Sequence, residues 1–338
     1  MIRSGLGTAI ALVAVIVPGR LFAGDADPGV GEIRAAIARS IPLLERASAG
    51  SAEERTCFTC HNQTLPVLAL VAARDRGFTV DAANLTRQLD HTAAHLSRGK
   101  EGYLKGQGQG GKVITAGYAL WALEAGGHPA NETTAAVTEY LLQYQQDQNR
   151  WSHPGSRPPS SGSDFTTTFV ALRGLNSYGT PEQQPRIASR IETIRDWLLT
   201  DSPVDTEDRV FRLRALHEIG VDKEIIAGGG RELLEQQRAD GGWAQNSSLQ
   251  SDPYATATVL AALFDTDAIS NDVPAARAAA RYLLDSQLED GSWHVASRAK
   301  PFQTYFETGY PHGKDQFISV AAGSWATVVL VKMLPPRQ

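Results

Sequence analysis

Residues 233–243 read LLEQQRADGGW and residues 283–293 read LLDSQLEDGSW, so the two segments begin 50 positions apart. Both follow the pattern Leu-Leu-x2-Gln-x3-Gly-x-Trp, and residues 141–151 (LLQYQQDQNRW) repeat it with asparagine in place of the glycine. A degenerate copy of the pattern surrounds Trp197. A pattern that recurs at a period of roughly 20–50 residues is typical of repeat proteins. The chain is therefore predicted to be an array of similar helical units.

Each unit contains an amphipathic segment before the glutamine–tryptophan turn and an almost wholly apolar segment after it. A helix that is apolar on all sides is a buried one. Six hairpins of this kind close into a double ring that leaves no end repeat to cap. We predict an all-α (α/α)6 toroid in a single domain, 24–338. Its buried inner helices are expected at 65–76, 114–125, 165–178, 209–219, 254–265 and 317–334, and its outer helices at 33–46, 82–96, 133–145, 186–199, 223–237 and 275–287.

The repeats at Gln237–Trp243 and Gln287–Trp293 resemble those of the terpenoid cyclase and prenyltransferase superfamily, in particular squalene-hopene cyclase. The resemblance covers residues 30–334 as architecture and implies the same toroid. It also implies that the repeated glutamine and tryptophan tie neighbouring units together, so they are assigned no chemistry.

The chain's only two cysteines lie in Cys57-Phe58-Thr59-Cys60-His61, which is the spacing of covalent c-type haem attachment. Thioethers would form at Cys57 and Cys60, and His61 would bind the iron. One alternative is a redox disulfide, although such motifs usually lie in a βαβ unit. The other is a zinc site, which needs two further ligands. The motif precedes the first inner helix, where later repeats have their glutamine–tryptophan turn. We therefore expect haem c at the rim of the toroid.

The sixth iron ligand is narrowed by elimination. Met333, the only methionine besides Met1, belongs to the far end of the last inner helix, at a distance from the rim. Among the histidines, His312 ranks first because its proline–glycine turn can approach the iron closely. His294 and His153 follow, and an open iron is the remaining alternative. His91 and His95, four apart on a predicted outer helix, form a weaker candidate pair for a metal.

A second resemblance concerns Asp205-Thr206-Glu207-Asp208, which is similar to the Asp-x-Asp-Asp acid motif of class II terpene cyclases. Glu207 stands at the central position. The adjacent Arg209 is expected to neutralise its acidity. The plainer interpretation is that aspartates ahead of the inner helices are N-terminal caps. They are Asp164, Asp208, Asp252 and Asp315.

The N-terminus predicts export. Arg3, an apolar stretch from Leu6 to Val17 and small residues near Ala23 have the layout of a cleaved signal peptide, 1–23, and an uncleaved anchor is the alternative. We expect a periplasmic or otherwise exported protein with no membrane span after signal removal, because the apolar segment 317–334 is interrupted by polar residues. The net charge of −5 and pI near 5.9 argue against a nucleic-acid partner.

Three functions are compatible with these features. The first is redox chemistry at the mouth of an apolar cavity, by a haem-dependent oxidoreductase or by an electron carrier with a redox partner protein. The second is a non-redox terpenoid cyclase-like enzyme, and the third is a haem-bearing interaction or sensing module. We favour the first because covalent haem usually serves electron transfer. Trp121 and Trp325 on the inner helices indicate a lumen that either accepts an apolar small molecule or is filled by its own side chains.

Overall fold

The computed structural model describes residues 27–152, 155, 157–301 and 304–336. The predicted signal peptide and His153 lie outside these ranges. Within them the chain forms thirteen α-helices, and the one element of β-structure is an isolated antiparallel bridge between Arg157 and Ser161.

Six hairpins of an outer and an inner helix account for nearly all of this structure, with the short α4 (Lys100–Leu104) inserted in the second. The outer helices are α1 (Val30–Glu54), α3 (Ala82–Arg98), α6 (Glu132–Gln143), α8 (Gln184–Thr200), α10 (Lys223–Glu235) and α12 (Pro274–Asp285). The inner helices are α2 (Leu65–Asp75), α5 (Lys112–Ala125), α7 (Asp164–Tyr178), α9 (Thr206–Glu218), α11 (Pro253–Asp265) and α13 (Gln316–Met333).

The inner helices form a closed ring in which each packs against the next and α13 packs against α2. Outside them, α1 contacts both α3 and α12. The predicted all-α toroid is therefore confirmed. Because every hairpin runs from its outer to its inner helix, all six inner helices point the same way. We call the end where they begin the rim and the end where they finish the C-terminal mouth.

Buried tryptophans anchor the repeats. In each good copy the indole Nε1–H donates to the carbonyl of the first leucine of its own pattern, at 2.7–3.0 Å. The indoles are at most 1% exposed. This bond ties the end of the outer helix to the start of the following turn. The pairs are Trp151 with Leu141, Trp243 with Leu233, and Trp293 with Leu283.

The repeated glutamines link one hairpin to the next. Gln237 Nε2 donates to the carbonyl of Ala275 at 2.9 Å, which joins the turn after α10 to the start of α12. Gln287 Nε2 donates to the carbonyl of Ala36 in α1, also at 2.9 Å. This second bond closes the ring between the last repeat and the first. The structural role that the resemblance implied is therefore confirmed for these two residues.

The asparagine-containing copy departs from this scheme. Gln145 bonds to Ser152 within its own turn, at 2.6 and 2.8 Å, instead of reaching the next outer helix. Arg190 on α8 makes the connection between repeats, donating to the carbonyl of Gln145 at 2.9 Å. Its guanidinium also lies 4.5 Å from the centre of the Trp151 ring. The copy that departs from the sequence pattern is thus also the one in which an arginine, in place of the glutamine, links the two repeats.

Helix α13 with its preceding turn, Gly313–Met333, is long and apolar enough to cross a bilayer by length and composition, alone in this respect among the described residues. Its apolar window is 78% buried within the ring. The prediction of a buried helix here is confirmed, and its composition is explained by its contacts with α1, α2 and α11 on several sides.

Candidate functional site

The cysteine–histidine segment lies between α1 and α2. A single π-helical turn, Cys60–Thr64, leads directly into α2 at the rim. Gln63 Oε1 holds the turn by accepting hydrogen bonds from the Thr59 backbone N–H and hydroxyl, at 2.7 and 2.6 Å. Both cysteines are free, with Cys57 exposed and Cys60 partly buried. Two unpaired thiols are thus presented three residues apart on a held turn.

His61 follows the second thiol and is packed inside the rim. Its ring meets Phe317 of α13 edge-on, with 5.2 Å between centroids, and its Nδ1 lies 3.8 Å from Cys60 Sγ. Burial, with a smaller contribution from the Arg157 guanidinium, lowers the pKa of His61 to about 4. The imidazole is therefore neutral at physiological pH, which is the form that binds metals. Burial also raises the pKa of the Cys60 thiol.

Asn62, the next residue, is fully buried, and neither its Oδ1 nor its Nδ2 has a hydrogen-bond partner among the described residues. An unpaired buried amide is unfavourable by about 1–3 kcal/mol for each group left without a partner. Asn62 lies beside two free thiols and a neutral imidazole. Its unpaired amide fits a segment that binds a prosthetic group. The donor set, two thiols and one imidazole, is the one that covalent haem requires.

His312 lies in the turn before α13 and adopts a left-handed backbone conformation, with φ 85°. Its Nε2 is 2.8 Å from the Ser292 hydroxyl, and its ring centroid is 4.7 Å from that of His294. His294 Nε2 in turn lies 3.0 Å from Asp315 Oδ2. These contacts attach His312 to the turn after α12, whereas His61 contacts Phe317. The role of His312 as sixth ligand stays a prediction.

His91 and His95 face the attachment segment from α3. His91 Nε2 is 3.3 Å from the Cys57 carbonyl oxygen, and the His95 ring stacks on Phe58 with 5.9 Å between centroids. Burial lowers the pKa of His95 to about 4. Across the described ranges, no three His, Cys, Asp or Glu side chains come together as a metal-binding group. These two histidines accordingly border the cysteine segment as packing residues.

Glu207 is a buried carboxyl at the start of α9. Its Oε1 accepts a hydrogen bond from the Thr166 hydroxyl at 3.0 Å, and its Oε2 accepts one from the Tyr254 hydroxyl at 3.1 Å. Burial is the main cause that raises its pKa to about 8, and the charge of Asp205 acts in the same direction. Glu207 is therefore mostly protonated at neutral pH. Thr166 and Tyr254, on α7 and α11, carried no sequence signal because their role depends on the ring bringing three helices together.

Arg209 does not neutralise Glu207, which corrects the expectation drawn from their proximity in sequence. Its Nε donates to Glu232 Oε1 on α10 at 2.8 Å, and its Nη1 donates to the Asp205 carbonyl at 2.9 Å. Two positions apart on a helix, Glu207 and Arg209 point about 200° apart around the axis. One side chain therefore enters the lumen while the other reaches the outer layer.

The capping prediction is correct for one aspartate and wrong for the others. Asp252 caps α11 by accepting a hydrogen bond from the Ala255 N–H at 2.9 Å, and Pro253 follows at the first helical position. By contrast, α7 is capped by the Ser163 side chain and α9 by the Asp205 side chain. The remaining candidates make no side-chain cap, and they are Asp164, Asp208 and Asp315.

Aromatic side chains from four inner helices meet inside the ring. Trp121 lies 5.9 Å from Trp325 and 5.4 Å from Phe169, and Phe169 lies 5.5 Å from Phe211, all between ring centroids. The Arg214 guanidinium sits 5.0 Å from the centre of the Trp325 ring. Trp121 and Trp325 therefore pack against each other, as in the filled alternative. Arg214 was not anticipated, although an arginine among the apolar residues of an inner helix was the available signal.

Comparisons with known proteins bear on the fold. No protein-family model matches the chain, and no curated protein matches it. Among solved structures, the type II terpene cyclase MstE from Scytonema is similar over 90% of this chain and 98% of its own, with TM-score 0.58 and 16% identity.

A variant of MstE in complex with its substrate geranylgeranyl dihydroxybenzoate matches 90% of this chain and 99% of its own, with TM-score 0.54 and 14% identity. The ent-copalyl diphosphate synthase from Streptomyces platensis matches 86% of this chain with TM-score 0.50 and 20% identity. This chain covers 50% of that enzyme. At these identities the likeness shows a terpenoid cyclase-like helical toroid.

Proposed function

We propose that the protein is an exported c-type haem protein built on a cyclase-like toroid, with haem attached at Cys57 and Cys60 and His61 as an iron ligand. The observation that carries the proposal is the juxtaposition at the rim of two unpaired thiols, a neutral imidazole and a buried amide without a partner. Bound haem supplies one-electron transfer. We assign it to redox chemistry, as an oxidoreductase or as an electron carrier.

The chain's own residues would support such a group in three ways. The hydrogen bonds between Thr59 and Gln63 hold the thiol-bearing turn in place. Phe317 packs edge-on against the imidazole and fixes the position of its ring. Arg157 places a positive charge near His61, and guanidinium groups pair well with carboxylates such as those of a porphyrin.

Intact mass of the chain co-expressed with a c-type maturation system tests attachment. We expect the processed chain plus one haem, and the bare chain when maturation is omitted. A bare-chain mass under maturation conditions would reject the proposal. A mass two hydrogens below that of the bare chain would establish the disulfide alternative instead.

Acid–base chemistry of the terpenoid cyclase type is the second candidate, and the solved neighbours favour it over the redox function because they are terpene cyclases. The specific observation behind it is Glu207, protonated and held by Thr166 and Tyr254 in the central position of the acid motif. Two features weaken it. A carboxyl with a pKa near 8 is a poor acid for protonating an alkene, and Trp121 and Trp325 meet across the lumen.

A product assay separates the two candidates. The haem-free chain is incubated with geranylgeranyl dihydroxybenzoate, the compound bound by the neighbouring enzyme, and products are separated by mass spectrometry. Cyclised product that disappears in Glu207→Gln would establish the acid function. No turnover by wild type, together with a reversible haem reduction, is the result we expect.

A further inference from the structure

The C-terminal mouth of the toroid holds a cavity of about 340 Å³. Its apolar wall is formed by Leu68, Trp121, Phe169, Trp325 and Val328, and its polar wall by Arg173, Arg214, His217, Glu218, Asp265 and Thr266. All six inner helices contribute to this lining, and most of the lining residues lie in their middle and C-terminal turns. The cavity is therefore separate from the cysteine segment, and its volume is within the range of small-molecule sites.

Ion pairs connect the ends of the inner helices around this cavity. Arg173 on α7 makes two hydrogen bonds of 2.8 Å to Glu124 on α5. Asp265 on α11 pairs with both Arg214 on α9, at 2.7 Å, and Lys332 on α13, at 2.5 Å. Cations at helix C-termini are favourable because they oppose the negative end of the helix dipole. Three positive side chains thus surround the opening, together with the carboxylates of Glu124, Glu218 and Asp265 that pair with them.

Arg214 is only partly satisfied by this network. The side chain is 4% exposed, and although Nη1 bonds to Asp265, Nε and Nη2 have no partner among the described residues. The guanidinium is a planar fork whose N–H groups match the two oxygens of a carboxylate. Buried donors left without an acceptor are costly, more so on a charged group. An oxygen acceptor at the mouth would give the Nε and Nη2 groups of Arg214 a hydrogen-bond partner.

We propose that the C-terminal mouth binds a small organic acid, whose carboxylate pairs with Nε and Nη2 of Arg214 and whose apolar part lies against Trp121 and Trp325. The neighbouring Asp265 and Glu218 carboxylates, together with the helix dipoles, disfavour a dianion such as phosphate. A single carboxylate is accommodated because its two oxygens can accept from the two unpaired donors of Arg214. An apolar body is favoured because Trp121, Phe169 and Trp325 form one wall of the cavity. This site is independent of haem attachment and of Glu207.

Isothermal titration calorimetry with phenylacetate and with its neutral isostere phenylacetamide tests the charge requirement. Wild type should bind phenylacetate with one-to-one stoichiometry and the amide roughly tenfold or more weakly, the difference expected for a charge-assisted pair. Equal affinity for both compounds would overturn the carboxylate assignment. Binding of neither would mean that water alone occupies the mouth, and would overturn the proposal.

Three variants locate the site. Arg214→Lys keeps a positive charge for Asp265 but lacks the fork, and should weaken phenylacetate binding roughly tenfold or more. Leu68→Phe should also weaken it, by filling the cavity while leaving Arg214 in place. Arg76→Lys is the matched control. Arg76 lies at the C-terminal end of α2, but it donates to the Leu334 carbonyl and does not line the cavity.

Far-UV circular dichroism and the melting temperature establish that each variant is folded before titration. Wild-type affinity in a folded Arg214→Lys variant would overturn the assignment to Arg214. If that variant fails to fold, Leu68→Phe and the comparison of acid with amide still decide the result. A loss of affinity in Arg76→Lys equal to that in Leu68→Phe would show a general effect on the helix ends and reject the site.

Discussion

The turn before α11 and the turn before α2 occupy equivalent places in the ring and are built in opposite ways. Before α11, Trp243 is buried with its N–H bonded to Leu233, and Gln237 crosses to Ala275. Before α2 there is no tryptophan, both thiols are free, and the fully buried Asn62 has no partner for either side-chain atom in the described structure.

This difference separates scaffold from site. A turn whose polar groups are all satisfied within the ring contributes to stability and has nothing left to bind a ligand. A turn in the same position that carries two free thiols and buries an unpaired amide gives up part of that stability. Such local departures from a repeated structural rule are expected at functional sites.

Removing the two thiols should abolish haem attachment at the turn before α2. We expect the double variant Cys57→Ser, Cys60→Ser to lose covalent haem completely, because a hydroxyl forms no thioether, while far-UV circular dichroism still reports the helical ring. Denaturing gel electrophoresis with haem staining is the measurement, and Trp243→Phe is the control that should retain stain. Haem that stays covalently bound in the double variant would contradict the assignment.

His312 tests whether a second turn of the rim contributes to the same site. If it supplies the sixth ligand, His312→Ala should convert a low-spin absorption spectrum into a high-spin one. His294→Ala, which removes the adjacent ring, is the matched control and should leave the spectrum low-spin. A low-spin spectrum in His312→Ala would transfer the role to His294 or to His153.

Trp243 tests the scaffold half of the comparison. Trp243→Ala removes a side chain that is 1% exposed together with its bond to Leu233. We expect the free energy of unfolding to fall by about 3–5 kcal/mol, measured by urea denaturation. Val204→Ala, at a side chain that is 84% exposed, should change it by less than about 0.5 kcal/mol. A loss below about 1 kcal/mol for Trp243→Ala would contradict the anchoring role.

Glu207 at the rim should make the free energy of unfolding depend on pH. Its pKa is raised from 4.5 to about 8 in the folded protein. The folded state therefore holds a proton that the unfolded state releases, so stability is highest below pH 4.5 and falls as pH rises to about 8. The fall should amount to about 5 kcal/mol at most. Urea denaturation across this range should show a smaller pH slope in Glu207→Gln. An unchanged slope would mean that Glu207 is ionised in the folded protein.

The smallest expected effect concerns the link between repeats. Gln237→Ala removes the bonds to Gly241 and Ala275, at 2.8 and 2.9 Å, and should lower stability by about 2 kcal/mol. Gln236→Ala is the adjacent control, because the Gln236 side chain donates to the Glu232 carbonyl of its own helix and does not link two repeats. It should cost less than about 0.5 kcal/mol. Equal losses in the two variants would remove the distinction.

The sequence alone was sufficient to predict the toroid, its six hairpins and the places of both turns. Apolar periodicity and the Gln–Trp spacing depend on the period of the helix, which is a local property. The cysteine–histidine motif is also local, so its position ahead of α2 followed from its place in the chain. The aspartate caps were predicted less well, because Ser163 and Asp205 occupy the capping positions instead of Asp164 and Asp208.

Only the tertiary structure decided which charges meet. Arg209 is only two positions from Glu207 in the sequence, yet it pairs with Glu232 while Glu207 meets Thr166 and Tyr254. The surroundings of Arg214 at the C-terminal mouth were equally hidden. Burial and the satisfaction of hydrogen bonds depend on which helices the closed ring brings together, and residues far apart in the chain determine them jointly.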